Sequence, residues 1–330
     1  MKKSVFLCLV SFLLSLAVLD APRLYSGQVP VLDKGAKQRI GATAGSGGLQ
    51  TARAEKSASQ GRAAASPAAG DPSLRKISSR SAIVIDAETG ETLFAKDADT
   101  PRQPASTIKV LTGMIALKSL DELEWVPVSR RASDMPRSKV YLDPNKSYRA
   151  NDLINAVLLA SANDASVALA ERIAGSEQDF AEMMTLRASL WGAKNTVCRT
   201  ATGLTAKGQQ STARDLALIF RHAMQDEQFA SRMHRVKTRT SYGKELHNHN
   251  KALWRVEGAE GGKTGYTSAA RQTYVGQFTR EGVGTIVVAL MGSESMWSDV
   301  ENLVDYGFAK QKRVKSAAMG LRGNKVALAE

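Results

Sequence analysis

Three short polar motifs in this chain combine residue types that can perform acyl transfer. They are Ser106-Thr107-Ile108-Lys109, Ser161-Ala162-Asn163 and Lys263-Thr264-Gly265. A Ser-x-x-Lys motif arises by chance in many proteins, but all three motifs in this order form a specific pattern. Together they can supply an activated nucleophile, a proton relay and a cationic clamp for an anionic peptide end.

Ser106 and Lys109 are three residues apart at a predicted helix start, so they share one face of that helix. Serine is a weak nucleophile until a base removes its proton. A lysine amine can be that base when burial and neighbouring cations lower its pKa. The helix N-terminus also offers N–H groups to a developing oxyanion. The pair predicts a lysine-activated serine nucleophile; the alternative is a helix cap beside a solvated lysine.

The other two motifs predict relay and binding groups. Ser161 and Asn163 fall between two helical segments, where a loop can direct a hydroxyl and a carboxamide into a cleft. The hydroxyl can relay protons and the carboxamide can bind a peptide backbone, although helix capping is an alternative. Lys263 and Thr264 are predicted on an edge strand. Gly265 lacks a side chain, which would let a substrate backbone add to that edge.

The elements that must position these motifs follow the order strands, helices, strands. The first strands, at 82–86 and 92–95, predict a hairpin. The predicted helices cover residues 106–120, 150–160, 164–175, 177–191 and 212–224. A strand ending at Gly265, strands at 272–278 and 285–291 and a helix at 296–310 complete the chain. This order predicts an α/β fold of the α+β type: a mixed sheet, a helical lobe and a cleft between them that contains the motifs.

Composition divides the chain into four regions. Residues 1–21 contain the apolar run VFLCLVSFLLSLAVL after a basic start, which predicts a signal peptide or an uncleaved anchor. Residues 22–80 are rich in Ala, Gly and Ser and predict a flexible basic linker. Residues 81–308 are the predicted catalytic domain and 309–330 a basic tail. We therefore expect an exported, periplasmic or otherwise extracytoplasmic protein, membrane-associated if the first segment is retained.

The net charge of +13 resides in the flanks of the chain. Region 22–80 has ten Lys/Arg against three Asp/Glu, and region 309–330 has six against one. Residues 81–308 carry 27 of each sign. Such flanks predict contact with an anionic membrane or wall polymer, and the alternative is a soluble spacer. We expect no nucleic-acid partner.

Metal and disulfide chemistry are not predicted. Cys198 is the only cysteine outside the apolar N-terminal run, so it is expected to be a core residue. His247 and His249 form the only close histidine pair, and no third ligand at zinc spacing accompanies them. We expect no metal and no cofactor.

Residues 104–112, PASTIKVLT, resemble the active-site segment of the serine-type D-Ala-D-Ala carboxypeptidases, the low-molecular-mass penicillin-binding proteins. Further segments resemble that family in order and spacing: SANDA at 161–165, TGL at 202–204, STARDLA at 211–217 and GKTGYT at 262–267. The resemblance covers roughly residues 81–308. It implies the transpeptidase/β-lactamase-like fold, a five-stranded antiparallel sheet with helices on both faces. Family members often continue into a β-rich domain and an amphipathic helix, whereas few residues follow Ala309 here.

The resemblance implies catalytic roles for several residues. Ser106 would form the acyl-enzyme and Lys109 would activate it. Ser161 would pass a proton to the leaving D-alanine. The backbone N–H groups of Ser106 and Tyr266 would form the oxyanion hole.

It also implies substrate-binding roles. Asn163 would bind the peptide stem, and Lys263 and Thr264 the terminal carboxylate. Gly265 and Tyr266 would complete the substrate edge. The family usually has glycine where Arg271 stands. On a straight strand Arg271 would lie roughly 26 Å from Lys263. A turn at 265–268 would bring it back as a second cation, and a surface arginine is the alternative.

The implied function is a DD-carboxypeptidase that removes the terminal D-alanine from peptidoglycan stem pentapeptides and that β-lactams inhibit covalently. A DD-endopeptidase that cleaves cross-links would use the same motifs, so the sequence leaves both open. A β-lactamase is less favoured, because the deacylating glutamate of class A enzymes should fall near 195–200 and no Glu occurs between Glu182 and Glu227. The intact motifs disfavour an inactive wall-binding protein.

Overall fold

A computed structural model describes residues 77–326, with side chains through residue 317. The described strands are β1 (Ser81–Asp86), β2 (Thr92–Lys96), β3 (Trp125–Pro127), β4 (Ser147–Arg149), β5 (Lys237–Arg239), β6 (Glu245–His247), β7 (Ala259–Thr267), β8 (Arg271–Arg280) and β9 (Gly284–Ser293). The described helices are α1 (Lys109–Ser119), α2 (Arg130–Ser133), α3 (Ala150–Leu158), α4 (Asn163–Ala174), α5 (Glu177–Leu190), α6 (Ala213–Ala223), α7 (Glu227–His234), α8 (Ala252–Arg255) and α9 (Met296–Val326).

The central sheet has five strands in the order β2-β1-β9-β8-β7. Every neighbouring pair is antiparallel, which confirms the fold that the family resemblance implies. The expectation of a mixed sheet was wrong. Three of the four pairings join strands that are consecutive in the chain and connected by a turn. The fourth pairs β1 antiparallel with β9, which is distant in the sequence. Strand β7 is an edge strand of the sheet, as predicted for the strand that contains Lys263.

Helices cover both faces of this sheet, and the sheet separates two hydrophobic cores. On one face α9 buries Val300, Val304 and Phe308 against the sheet. On the other face, α6 buries Leu216 and Phe220 in the core that continues into the helical lobe. The sequence favours α6 strongly, since its apolar residues recur at helical spacing. The Thr212 side chain caps its first turn by accepting from the N–H of Asp215 at 3.0 Å.

The helical lobe surrounds α1, whose residues from Lys109 to Leu117 are all buried. Helices α3, α4 and α5 pack around it. Gly113 lies so close to Leu158 that no side chain would fit at that position without repacking. A buried central helix explains why the apolar residues of this segment lie on all its sides instead of in a one-sided stripe; Thr112 is the one polar residue between Val110 and Leu117.

The folded region extends past both predicted boundaries of 81–308. Residues 77–80, assigned to the flexible linker, are part of it: Ile77 is buried, and the N–H groups of Ser78 and Ser79 donate to Asp299 at 2.9 and 2.8 Å. The last helix, predicted to end at 310, continues to Val326. Gln311 in the predicted tail is buried, and its Nε2 donates to Asp86 Oδ2 at 2.7 Å.

The predicted signal peptide or anchor, most of the linker and the last four residues lie outside the described part of the chain. Among the helices within residues 77–326, none is both long enough and apolar enough to cross a membrane. The sequence reasoning also missed α2, α7, α8 and the two-stranded sheets β3–β4 and β5–β6. Helices α2 and α8 have four residues each and these strands three, which is too short to show a periodic pattern.

Candidate active site

The nucleophile candidate lies on a short 3₁₀ turn, Ala105–Ile108, that leads into α1. Two threonine hydroxyls fix this turn by donating to the carbonyl of Pro104, Thr107 at 2.6 Å and Thr273 of β8 at 2.9 Å. Ala105 adopts a φ of +51°, which an L-residue rarely does outside functional sites. Ser106 is half-buried at the start of the turn, where backbone N–H groups lack helical partners.

Lys109 is fully buried directly behind Ser106. Its Nζ lies 2.9 Å from Ser106 Oγ, 2.7 Å from Asn163 Oδ1 and 2.6 Å from the carbonyl oxygen of Thr202. A neutral amine has two N–H groups and one lone pair. It can donate to the two carbonyl oxygens while its lone pair accepts the Ser106 hydroxyl proton. This geometry suits a general base.

The surroundings of Lys109 favour the neutral amine. Burial lowers the pKa of Lys109 well below its ordinary value, and the nearby charge of Lys263 lowers it further. The carboxylates of Asp164 and Glu177 act in the opposite direction, to a smaller extent. Desolvation is therefore the main cause that makes this lysine available as a base.

A second lysine connects the other two motifs. Lys263 on β7 is almost completely buried, and its Nζ donates to Ser161 Oγ at 2.8 Å and to the Thr264 carbonyl at 2.9 Å. Burial lowers the pKa of Lys263 to about 7. Ser161 has a φ of +57°, so this motif is also set in an unusual backbone conformation. Two lysine–serine pairs thus meet in one cleft.

Asn163 connects Lys109 to a neighbouring loop. Its Oδ1 accepts from Lys109, while its Nδ2 donates to the carbonyls of Pro136 at 2.9 Å and Arg137 at 3.1 Å. Its backbone N–H donates to the Ser138 carbonyl at 2.7 Å. The side-chain amide is therefore already engaged, and binding a peptide stem would require it to leave one of these carbonyls.

Gly265 has a packing role that the sequence does not predict. A Cβ there would lie 2.7 Å from the backbone N of Ser106 and 2.5 Å from Thr273 Oγ1, so no side chain fits. The glycine lets the edge strand approach the nucleophile turn closely. Next to it on β7, Tyr266 is 61% exposed.

Three buried groups that the sequence reasoning did not single out support this arrangement. The Thr202 carbonyl accepts from Lys109. Thr202 belongs to the TGL segment at 202–204 that resembles the family, so that resemblance could have indicated a role in the site. The Glu177 carboxylate accepts from the N–H of Ala201 at 3.0 Å, fixing the adjacent peptide. The Asp164 carboxylate accepts from the N–H of Val140 and Leu142, each at 3.1 Å.

Arg271 begins β8 opposite Thr267, after a turn at 268–270. The chain therefore reverses, and the straight-strand distance does not apply. The guanidinium of Arg271 is paired with Glu294, with its Nε 3.0 Å from Oε1. This contact matches the surface-arginine alternative. Its φ of +57° lies in the left-handed region, which glycine adopts more readily than any other residue.

Cys198 and His247 take no part in the contacts described above. Cys198 is buried, and burial raises the pKa of its thiol to about 12, so it is an inert core residue. His247 contacts Glu245 at 2.8 Å. Across the described residues, no group of three or more potential metal ligands is found.

The fold and the two lysine–serine pairs define a serine hydrolase of the penicillin-binding type. The family described as D-alanyl-D-alanine carboxypeptidase, peptidase S11, matches residues 64–294, and the chain belongs to this family. The match begins before the predicted boundary at 81, in agreement with the folded residues 77–80. The predicted family, enzyme class and fold are thereby confirmed.

Named relatives support the same activity. D-alanyl-D-alanine carboxypeptidase DacB2 of Mycobacterium tuberculosis is 37% identical, over 69% of this chain and 81% of the relative. DacF of Bacillus subtilis, named likewise, is 30% identical over 70% of this chain, which spans 62% of that longer relative. The ampicillin-bound structure of penicillin-binding protein D2 from Listeria monocytogenes has a TM-score of 0.65 and 27% identity, covering 71% of this chain and 98% of the other.

Proposed function

We propose that this protein is a serine D-Ala-D-Ala carboxypeptidase that removes the terminal D-alanine from peptidoglycan stem pentapeptides through an acyl-enzyme on Ser106. The observation that carries the proposal is the contact of a fully buried Lys109 with Ser106 Oγ at 2.9 Å. Family membership sets the reaction class.

Acylation begins when neutral Lys109 removes the hydroxyl proton of Ser106. Ser106 Oγ then attacks the carbonyl carbon between the two D-alanines. The backbone N–H groups of Ser106 and Tyr266 bind the resulting oxyanion. Ser161 gives its proton to the leaving D-alanine nitrogen and takes one from Lys263, which donates to it across 2.8 Å. The C–N bond breaks, and the shortened stem remains as an ester on Ser106.

Deacylation uses the same groups in the reverse direction. A water molecule attacks the ester carbonyl carbon, and Lys263, left neutral by acylation, takes its proton through Ser161. Lys109, protonated during acylation, returns a proton to Ser106 Oγ as the C–O bond breaks and the tetrapeptide leaves. At the end of the cycle each of these residues has the proton with which it began.

The terminal carboxylate of the substrate binds beside Lys263 and Thr264. Burial destabilises the Lys263 ammonium, and an incoming carboxylate would stabilise it again. Substrate binding therefore charges the group that supplies the leaving-group proton. A peptide that lacks the free terminal carboxylate loses this effect.

The named relatives favour carboxypeptidase over endopeptidase activity. The direct test uses purified pentapeptide muropeptides and cross-linked dimers, with mass analysis of the products. Loss of one D-alanine from the pentapeptides, with the dimers left intact, is expected. Conversion of dimers to monomers without that loss would replace the proposal with endopeptidase activity.

β-Lactams are proposed as covalent inhibitors of the same serine, as the ampicillin-bound Listeria relative suggests. We also propose that the protein is exported, from the apolar run at 5–19, and that its basic flanks contact an anionic membrane or wall polymer. Export and the contact of the basic flanks are both inferred from the sequence.

A further inference from the structure

A cavity of about 340 Å³ opens beside the catalytic cleft. Residues 137–141 line one side and residues 244–247 line the other, together with His249 and Ala160. Ala160 directly precedes Ser161. The loop 137–141 also contacts the catalytic groups, because the Arg137 and Ser138 carbonyls accept from Asn163. The cavity is therefore continuous with the machinery of the active site.

Three cations surround one exposed aromatic ring in this cavity. The Arg137 Cζ, the Lys139 Nζ and the Lys244 Nζ lie 6.0, 5.4 and 5.6 Å from the ring centroid of Tyr141. Tyr141 is 57% exposed. Within the part of the chain whose side chains are described, none of these three cations is paired with a carboxylate. Cations gathered around one ring repel each other, and an anion between them would relieve that repulsion.

The single acidic residue that lines the cavity is bound by other groups. Glu245 Oε1 lies 2.8 Å from His247 Nε2, and its Oε2 lies 3.9 Å from Lys237 Nζ. The cavity therefore has an excess of positive charge. Its shape is also fixed, since the Asp164 carboxylate binds the N–H groups of Val140 and Leu142.

We propose that this cavity is a subsite for a carboxylate on the side chain of the stem residue that directly precedes D-Ala-D-Ala. The inference rests on the proposed function. With the terminal carboxylate at Lys263 and the scissile carbonyl at Ser106, the preceding residue leaves the cleft past Asn163. The loop 137–141 begins at that point, so the side chain of this stem residue can reach the three cations.

The chemistry of the subsite selects between stem types. A diamino-diacid such as diaminopimelate carries a carboxylate at the end of its side chain, which the cations attract. Lysine has a side chain of the same length that ends in an ammonium group alone, and the cations repel it. An amide at the same position is neutral and cannot form the charge-assisted bonds.

The test uses the full chain and three pentapeptides that differ only at this residue: diaminopimelate, its side-chain amide and lysine. We expect kcat/KM for D-alanine release to be about tenfold higher with the diacid than with either other peptide. Lys139→Gln/Lys244→Gln should reduce this preference to about twofold, and Lys244→Glu should reverse it in favour of lysine. Lys251→Gln, an exposed lysine outside the cavity, is the matched control and should keep the wild-type preference.

Labelling by fluorescent penicillin distinguishes failure of the subsite from failure to fold. The cavity variants should label at the wild-type rate, because penicillin does not carry the stem side chain. Equal kcat/KM for the three peptides in the wild-type protein would overturn the subsite and leave the carboxypeptidase intact. Absence of D-alanine release from all three peptides would overturn the proposed function and the subsite with it.

Discussion

At the scale of single residues, two buried lysines divide the work of the site. Lys109 contacts the nucleophile candidate Ser106, and Lys263 contacts Ser161 and the edge where the substrate carboxylate would bind. Both sites penalise a charged ammonium, yet the proposed chemistry needs one amine neutral and the other protonated. Their mutual repulsion favours that division, since the charge of Lys263 lowers the pKa of Lys109.

The first prediction concerns the acylated residue. Ser106→Ala should abolish labelling by fluorescent penicillin, because it removes the hydroxyl that would form the ester. Lys109→Ala should reduce the labelling rate by at least about 10²-fold through loss of the base. Thermal unfolding serves as the control for folding in both variants. Labelling of Ser106→Ala at the wild-type level would reject the assignment.

The second prediction concerns the pH dependence of kcat/KM on a soluble pentapeptide. Activity should rise with pH as Lys109 loses its proton, and fall as pH rises through about 7, where free Lys263 loses its own. Lys263→Arg should lower kcat/KM at every pH and abolish the falling limb, because a guanidinium stays charged and cannot give up the proton that Ser161 needs. An identical falling limb in wild type and variant would show that Lys263 does not cause it.

The third prediction concerns deacylation after reaction with benzylpenicillin. Glu177 is the buried glutamate near Lys109, and its carboxylate is bound to the N–H of Ala201 and to Arg131 at 2.7 Å. It is therefore not free to activate a water. The penicilloyl adduct should persist for minutes or longer in intact-protein mass spectra. Adduct loss within seconds, with steady turnover of the drug, would contradict this expectation.

At the scale of elements, close packing between β7 and the 3₁₀ turn sets the position of the nucleophile. Gly265 permits that approach, and Thr273 and Thr107 fix the turn from two sides. The lobe contributes through fixed carbonyls: those of Thr202, Pro136 and Arg137. The active site is thus a junction of a strand edge, a helix start and two loops.

The fourth prediction tests this junction with a pair of glycine variants on one strand. Gly265→Ala would place a Cβ 2.7 Å from the backbone N of Ser106, and the rate of penicillin acylation should fall about tenfold or more. Gly262→Ala would instead crowd the Tyr274 hydroxyl on the other face, at 2.5 Å. It should lower Tm while acylation by the folded protein remains near wild type. Equal acylation rates in the two variants would reject a special role for Gly265.

The sequence predicts most of these elements because their patterns are local. Helix α6 and strands β1, β8 and β9 follow directly from apolar periodicity and turn residues. The 3₁₀ geometry at Ala105, the loop 137–141 and the contacts of Asp164 depend on residues far apart in the chain, and no local pattern signals them. The three motifs predict that their residues share a cleft, and the structure brings them together. Their individual catalytic roles remain predictions.

At the scale of the whole molecule, the net positive charge lies mainly outside the catalytic region. The region 81–308 is neutral in sequence, and the basic residues concentrate at its two ends. On the described part of α9, exposed cations follow the buried Gln311; they are Lys312, Arg313 and Lys315. The predicted tail therefore combines an anchored helix with a basic surface.

The fifth prediction tests whether the flanks bind an anionic surface. Fragments 22–330 and 77–330 should be sedimented with anionic vesicles and, separately, with purified wall. The longer fragment should pellet more at low salt, and about 0.5 M salt should release it. Equal pelleting of the two fragments would reject a role for the N-terminal flank. Activity on a soluble pentapeptide should be the same for both, since all the site residues lie within the shared part.

The way in which the chain enters the domain has a mechanical consequence. Ser78 and Ser79 are hydrogen-bonded to Asp299 at the start of α9, and β1 then runs between β2 and β9 in the interior of the sheet. A pulling force on the N-terminal side would have to break the bonds to Asp299 and then shear β1 from two neighbours at once. It could not peel a strand from an open edge one bond at a time. The domain would therefore resist a pull transmitted through its N-terminal side, as the proposed contact of the N-terminal flank with a membrane or wall polymer would require.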